Sequence, residues 1–309
     1  MHKVGLIGYG SMGKNHARVL SKLESVDFIG IYDIDQSKDF KNYNTYNNIQ
    51  NLIDDSSILI ISTPTNTHHD LVLKVIEQNK HILVEKPYSI NQKDIINIKK
   101  ITQNKEVYLK IGLLEKYNPA VMFLKEQTLE KISSIYLNRL SPQNQENRNQ
   151  EHVLLDLTIH DFSIVLEILK CDVEDFKFEF FFNKLQPNNH VDIFGYLNNV
   201  STSISTSKLF QKKVRDLVIN TEERLFKANL ITGAVEISYG AIQDIIDNDN
   251  TLGYRENLNS SYPLIDYREP LEAQFLAFLK DIKDRNIKKV NSELIKDLNL
   301  HYYLLEKIK

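Results

Sequence analysis

The stretch VGLIGYGSMGKNH near the N-terminus constrains this chain more than any other segment. It places Gly8, Gly10 and Gly13 in GxGxxG spacing, directly behind the apolar run 4–7 and ahead of an amphipathic segment. The spacing alone is a weak signal. Strand, glycine turn and helix in that order form the context that a dinucleotide fingerprint requires. Gly8 admits a tight turn, Gly10 lets the backbone approach a pyrophosphate, and Gly13 lets the helix pack close to the sheet. The helix N-terminus then offers amide donors and positive potential to the phosphates. Tyr9 and Met12 are expected to flank the cofactor. The chain has only 10 glycines in 309 residues, so three at this spacing are hard to read as incidental.

Hydrophobic patterning extends the argument. Short apolar runs at 4–7, 28–32, 58–61, 81–84 and 107–111 read as strands. Amphipathic stretches at 12–23, 68–78 and 91–102 read as helices between them, whereas 37–51 looks irregular. That alternation predicts an α/β fold with a parallel sheet covered on both faces. After Gly112 the pattern changes. Helices are expected at 119–129 and 151–169, separated by a strand at 132–139 and a polar loop at 141–150. Strand-like runs follow at 175–183, 190–197, 201–207, 214–220 and 228–239, then a loop at 247–261 and helices at 270–282 and 292–308. The expected architecture is an N-terminal Rossmann nucleotide-binding domain, 1–115, followed by an α+β domain, 116–309, with an open, mostly antiparallel sheet. The second domain is assigned substrate binding and oligomerisation, with the option that its C-terminal helices pack back on the first. A broad sheet needs a cover on its open face, which favours a homodimer or homotetramer through that sheet.

Composition narrows the class. A net charge of −3 and a pI near 6.3 lack the concentrated basic face of a nucleic-acid binder. Cys171 is the only cysteine, which excludes an internal disulfide framework and a cysteine-built zinc site. There is no run of 18 apolar residues and no signal-peptide layout at the start. The expectation is a cytoplasmic protein with a small-molecule ligand, no membrane partner and no metal.

Asp33 follows Gly13 by twenty residues and ends the second strand, where a carboxylate accepts hydrogen bonds from the ribose of NAD. It would repel the 2′-phosphate of NADP, and Ile34 and Asp35 offer nothing basic in return. Lys38 is the one nearby cation that opposes this preference. In STPTNTHH, Thr63 and Pro64 stand where a strand end meets the ligand crevice, under the nicotinamide ribose. Thr67 is either a cofactor contact or a helix cap, and His68 either faces the ligand or belongs to the first helical turn. In HILVEKPYS, Glu85, Lys86 and Pro87 also follow a strand. Lys86 is suited to hold a substrate hydroxyl near the nicotinamide, with Pro87 fixing the turn.

In EHVLLDLTIHDF, Asp156 and His160 are four residues apart on one helix face among apolar neighbours. The carboxylate can orient and stabilise an imidazole that takes a hydroxyl proton as hydride leaves the adjacent carbon. A structural pair is the alternative. A metal pair completed by Asp161 is disfavoured, because neither HExxH nor cysteine ligands are present.

Taken together, GYGSMGKNH, STPTNTHH, VEKPYS, KYNPA and LLDLTIHDF resemble the oxidoreductase family of glucose–fructose oxidoreductase and inositol dehydrogenase (Gfo/Idh/MocA). The resemblance implies the two-domain architecture, with a second-domain sheet that often forms a subunit interface. It implies that Lys86, Asp156 and His160 are catalytic and that Asn118 and Arg139 lie near the substrate. Tyr88 stands where leucine or methionine is commoner, and Lys116 where arginine often stands. NQEHVLLD replaces a glycine-rich approach to the DxxxH helix. Within the family, LDLTIHDF and the preceding arginine-containing loop look like the nucleotide-sugar 3-dehydrogenases. That implies oxidation of a sugar secondary alcohol, such as the 3-hydroxyl of a UDP-N-acetylhexosamine or its uronic acid. Inositols, simple sugars and a non-catalytic NAD- or sugar-binding regulator are the alternatives. Arg139 and Arg148 would meet a carboxylate or diphosphate, since guanidinium offers bidentate geometry.

Overall fold

The computed structural model describes residues 1–127, 129, 131–142, 151–248 and 251–308, with the backbone alone for 240–248 and 251–258. The chain divides into two compact units, Met1–Leu114 with Pro270–Lys309, and Glu115–Glu269. The first opens with β1 (His2–Ile7), α1 (Ser11–Leu20), β2 (Val26–Tyr32), α2 (Ile49–Asp55) and β3 (Ile58–Ile61). It continues through α3 (His68–Glu77), β4 (His81–Val84), α4 (Gln92–Thr102) and β5 (Leu109–Ile111). The five strands are parallel, in the order β2-β1-β3-β4-β5. All four residues of β3 are buried, as a strand covered on both faces requires. The order reverses direction at β1, so the crevice between the carboxyl ends of β1 and β3 is the ligand position of such a sheet. This is a Rossmann-type sheet, as the alternating pattern predicts. The short helix α2 is the element the pattern misses. Asn48 caps it by accepting a hydrogen bond from the Gln50 amide, and only Leu52 and Ile53 are buried on it. One turn of apolar residues leaves too weak a periodicity to read.

The second unit contains α5 (Pro119–Glu126), β6 (Ile132–Leu140), α6 (Ile159–Leu169), β7 (Phe176–Phe182), β8 (His190–Leu197) and β9 (Val200–Ser207). It ends with β10 (Val214–Thr221), β11 (Arg224–Asn229), β12 (Ala234–Asn248) and β13 (Thr251–Ser261). These form an eight-stranded sheet in the order β13-β12-β11-β10-β6-β9-β8-β7. Only β6 and β9 run parallel. Ile135, Leu137, Ile193, Ile204, Leu217, Ile219 and Phe226 are buried on one face. Tyr136, Phe181, Phe194 and Tyr196 are each about half exposed on the other.

Three sequence expectations change here. The single helix at 151–169 is a π-helical turn, Leu154–Thr158, leading into α6. The strand expected at 228–239 is two strands, broken at a turn where Gly233 takes a left-handed φ of +75°. The expected loop at 247–261 is largely ladder, since β12 and β13 pair antiparallel over Ile237–Ser261. Its polar, asparagine-rich composition hides the alternation that marks a strand. Residues 143–150, and Arg148 with them, lie outside the described residues.

The last helices, α7 (Pro270–Lys283) and α8 (Ile287–Lys307), belong to the first unit, not to a second domain running to 309. Phe275, Phe278, Ile282 and Val290 join Val4, Leu6, Ala17 and Leu20 in one core cluster. Lys110 of β5 is buried and paired with Asp281 at 3.2 Å and Glu293 at 3.3 Å. Chain order does not show which unit an amphipathic helix covers. The buried lysine is the partner that draws these acidic positions back to β5.

His301 of α8 is fully buried. Burial pushes its imidazole down to about 3; the Ser89 backbone opposes this, while His68 and Lys86 add to it. An unfolded histidine titrates near 6.5, so between about 3 and 6.5 the unfolded chain binds a proton that the folded one refuses. This contribution is therefore intact above pH 7 and falls as the pH drops. The expected loss is about 2 kcal/mol between pH 7 and 5. His301→Leu should remove that part of the pH dependence in urea unfolding. An unchanged difference between the two pH values would refute it.

Candidate active site

The turn after β1 is shaped by contacts that exclude side chains. Gly8 has φ +95°, and a Cβ there would lie 2.7 Å from the Ser62 carbonyl oxygen. A Cβ on Gly13 would lie 2.1 Å from the Gly8 carbonyl oxygen, so α1 can press against the turn only with glycine there. Ser62 adds a hydroxyl hydrogen bond to the Gly8 carbonyl at 2.8 Å. Gly10 differs, because a Cβ there would meet nothing within 4 Å. Protein packing accounts for Gly8 and Gly13 and leaves Gly10 with open space above the start of α1. That space fits the close approach of a pyrophosphate. Met12, half-buried in the first turn of α1, stays beside it.

Tyr9 does not flank this space with its ring. The ring is buried against Phe40 and Tyr43, with centroids 5.3 and 6.3 Å away. Its backbone amide instead donates to Asp33 Oδ2 at 2.6 Å. Asp33 Oδ1 accepts from the Asp35 amide at 2.9 Å, and Lys38 Nζ lies 2.7 Å from Oδ2. Burial alone would raise the Asp33 carboxyl, but these three donors hold it below the usual carboxylate range. Lys38 is thus a direct partner of Asp33.

Residues at the ends of β3 and β4 hold one another. Thr67 donates to the Pro64 carbonyl at 2.7 Å, which leaves Thr63 to donate to Thr67 at 2.7 Å. The Thr67 hydroxyl therefore closes a turn and does not cap α3. Pro64 is exposed. His68 is buried, with Nε2 2.8 Å from the Thr63 carbonyl oxygen and Nδ1 2.9 Å from that of Pro87. It staples the loop after β3 to the loop after β4. Both partners are acceptors, so a neutral ring can serve only one at a time. Glu85 is buried against His16 of α1 at 2.8 Å, and a Cβ on Gly112 would crowd its Oε2 at 3.0 Å. Lys86 follows, joined to Pro87 by a cis peptide. Tyr88 is fully buried with its hydroxyl 2.7 Å from His69 Nδ1, so the tyrosine has its own hydroxyl partner. His16 and His69 were not read from the sequence, where an isolated histidine carries no periodic signal.

In the second unit the π-helical turn carries Asp156, and α6 begins with His160 in its first turn. Single π turns inside helices occur frequently at functional sites. Both side chains are buried among Val153, Leu154, Ile159 and Phe162. Asp156 Oδ2 pairs with Lys208 Nζ at 2.7 Å, a partner that the sequence did not suggest. Arg139 is 1% exposed and donates to Asp161 at 2.6 Å and to Glu115 at 3.1 Å. Burial would discharge this guanidinium, but the two carboxylates hold its proton more firmly than usual. Burial also works against Glu115, whose carboxyl Arg139 and Arg215 nevertheless keep below its ordinary range. Asn118 is buried, capping α5 through the Ala120 amide at 3.1 Å and donating to the Leu230 carbonyl at 2.8 Å. Arg139 and Asn118, expected beside substrate, both have partners within the protein. Lys116 pairs with Glu167 at 3.2 Å. Against the effect of burial, Lys116 and Lys125 together hold Glu167 down to about 2. Among the described residues no group of three or more His, Cys, Asp or Glu side chains could hold a metal. Nor is any described helix long and apolar enough to cross a membrane.

The glycine geometry separates packing from ligand binding. Gly13→Ala should destabilise the fold by about 1–3 kcal/mol through overpacking. Gly10→Ala should cost at most about 1 kcal/mol as a poorer helix cap, yet weaken NADH binding. Thermal unfolding and NADH fluorescence titration read both effects. Wild-type NADH affinity in Gly10→Ala would remove the pyrophosphate from this space.

Part of the chain is similar to known proteins. Over 130 residues the chain is 31% identical to glucose-6-phosphate 3-dehydrogenase of Bacillus subtilis, covering 40% of this chain and 37% of that enzyme. It is 27% identical to myo-inositol 2-dehydrogenase of Thermotoga maritima over 188 residues, 56% of each chain. The chain thus matches about half or less of the length of these relatives. The solved structure of UDP-N-acetylglucosamine 3-dehydrogenase from Acidithiobacillus ferrooxidans superposes with a TM-score of 0.78 at 17% identity. That superposition covers 97% of this chain and 99% of the other, a likeness of fold. Residues 2–113 match the NAD-binding Rossmann fold of the Gfo/Idh/MocA oxidoreductase family. The similarity to that family is thus carried by residues 2–113 of the first unit.

Proposed function

We propose that the whole chain is an NAD-dependent dehydrogenase acting on a secondary alcohol of a sugar. The observation that carries this reading is the Asp156–His160 segment. A π-helical turn carrying Asp156 leads into α6, whose first turn carries His160, and both side chains are buried; the same chain holds the open Gly10 space. NAD, when bound, supplies the hydride acceptor. Gly8, Gly10 and Gly13 shape its pyrophosphate seat, and the free amides at the start of α1 face the phosphates. Asp33 receives the ribose hydroxyls and disfavours NADP, although Lys38 offsets part of its charge. Thr63, Pro64 and Thr67 form the strand-end surface toward the nicotinamide ribose. His68 and Glu85 act by holding that surface in place. Lys86 donates to the reacting hydroxyl and stabilises the developing alkoxide. His160 removes the hydroxyl proton, and Asp156 keeps the imidazole oriented and favours its charged form.

The finer reading is oxidation at the 3-hydroxyl of a UDP-N-acetylhexosamine or its uronic acid. Two of the similar proteins are 3-dehydrogenases, one of a sugar phosphate and one of a nucleotide sugar. An inositol or simple-sugar substrate is the second reading, favoured by the likeness to myo-inositol 2-dehydrogenase. We also read the exposed aromatic face of the eight-stranded sheet as the surface that a second copy covers. Light scattering should then give a dimer or tetramer, and a mass of one 36.0 kDa chain would exclude it.

The test is a pH–rate profile of hydride transfer with NAD and NADP in parallel. Wild type should favour NAD, with a basic-form requirement near the histidine range. His160→Asn should lose about 10²–10⁴-fold in rate while binding NADH normally. Lys86→Met should also lose turnover and spare NADH binding. A His160→Asn variant with the wild-type rate and profile would disqualify His160 as the base. Full activity in both variants would leave the regulator as the better reading.

A further inference from the structure

The buried face of the eight-stranded sheet carries a charge arrangement that hydride transfer alone does not need. Arg139 of β6 and Arg215 of β10 stand directly opposite each other in the antiparallel ladder. Like charges in that position repel. A single carboxylate oxygen, Glu115 Oε1, accepts from both guanidiniums, at 3.1 and 2.8 Å. Asp161 takes the Nε of Arg139 at 2.6 Å and a hydroxyl bond from Thr206 at 3.3 Å. Two buried nitrogens of this pair have no acceptor among the described residues, Arg139 Nη2 and Arg215 Nε. Leaving charged donors unfilled away from water is costly.

The charges do not balance. Lys213, exposed two residues before Arg215, is within electrostatic reach of both guanidiniums and of Glu115. Three cations therefore face two carboxylates, Glu115 and Asp161, an excess of one positive charge. The neighbouring Lys208 and Asp156 cancel one another at 2.7 Å. Asp156 is also within electrostatic reach of Arg215, so the excess lies beside the Asp156–His160 segment. Arg215 keeps a quarter of its side chain exposed, so the cluster is reachable through Arg215 and Lys213.

We propose that Arg215 and Lys213, backed by Arg139, hold an oxyanion of the substrate, so that the sugar oxidised by this protein carries a phosphate or carboxylate group. The assignment rests on the dehydrogenase reading above and adds the substrate's charge to it. A guanidinium fork and an ammonium suit an oxyanion, and the single excess charge supplies its counterion. Arg139 stays behind them, since its two carboxylate partners hold it in place.

The test measures calorimetric binding and steady-state oxidation for four ligands: glucose, glucose 6-phosphate, glucuronate and UDP-N-acetylglucosamine. At least one anionic sugar should bind about 10- to 100-fold more tightly than glucose. Whichever leads identifies the oxyanion as a phosphate monoester, a carboxylate or a diphosphate. Lys213→Ala, an exposed change that spares the fold, and Arg215→Gln should each remove about tenfold of that preference. The loss should fall on KM more than kcat, with glucose and NADH binding unchanged, and Arg215→Lys should recover part of it. Equal affinity for glucose and all three anions would overturn the proposal. So would variants that weaken glucose as much as the anions. If no sugar is oxidised yet anion binding still depends on Arg215 and Lys213, the dehydrogenase reading fails and the oxyanion site stands. If glucose is oxidised and no anion is preferred, the oxyanion site fails alone.

Discussion

A methyl group on Gly13 would stand 2.1 Å from the carbonyl oxygen of Gly8, and much of the first unit follows from that closeness. It sets the distance between α1 and the turn after β1, and so where the free amides of the helix N-terminus lie. The same turn is fixed from the side by the Ser62 hydroxyl on the Gly8 carbonyl and by the Asp33 carboxylate on the Tyr9 amide. These bonds link the ends of β1, β2 and β3. Over Gly10, by contrast, a Cβ would meet nothing within 4 Å. The position of that space depends on packing that can be perturbed independently of binding.

Much of this was legible in the chain. Strands β3 and β4 lie where apolar runs place them, because unbroken runs of four and three buried residues suit strands covered on both faces of a parallel sheet. The glycine turn was legible because Gly8 and Gly13 each answer a separate steric demand and Gly10 keeps the spacing between them. The side-chain partnerships were harder to read. Tyr9 sits next to the turn in sequence, yet its ring belongs to the core and only its amide takes part. His68 looked like a ligand or a helix residue and is a staple between two loops. Asn118 and Arg139 match positions that suggest substrate contact, but their burial and their hydrogen-bond partners are not written in local pattern.

The second unit shows why charge is the least legible feature. Arg139 and Arg215 are 76 residues apart, and only strand register makes them neighbours. Nothing in the sequence around Arg215 marks it. Glu115, in the segment that opens the second unit, becomes the carboxylate that both arginines share. The Asp156–His160 spacing was visible, whereas the π-helical turn that carries Asp156 and the Lys208 partner were not. A π turn leaves the hydrophobic pattern of a helix almost unchanged, so periodicity does not report it. Polar networks of this kind specify function through geometry, and geometry depends on the pairing of distant strands.

The central claim is that a sugar C–H hydride passes to NAD on this protein. Isotope transfer tests it most directly. Glucose 6-phosphate and UDP-N-acetylglucosamine, each deuterated at carbon 3, are incubated with the protein and NAD, and the reduced cofactor is analysed by mass spectrometry. The account predicts that at least one of the two sugars delivers one deuterium, as deuteride, to each cofactor molecule reduced, with a 3-keto sugar formed in equal amount. Reduced cofactor without deuterium would place the oxidation at another carbon. Binding of NAD and sugar with no reduced cofactor from any sugar would contradict the account itself.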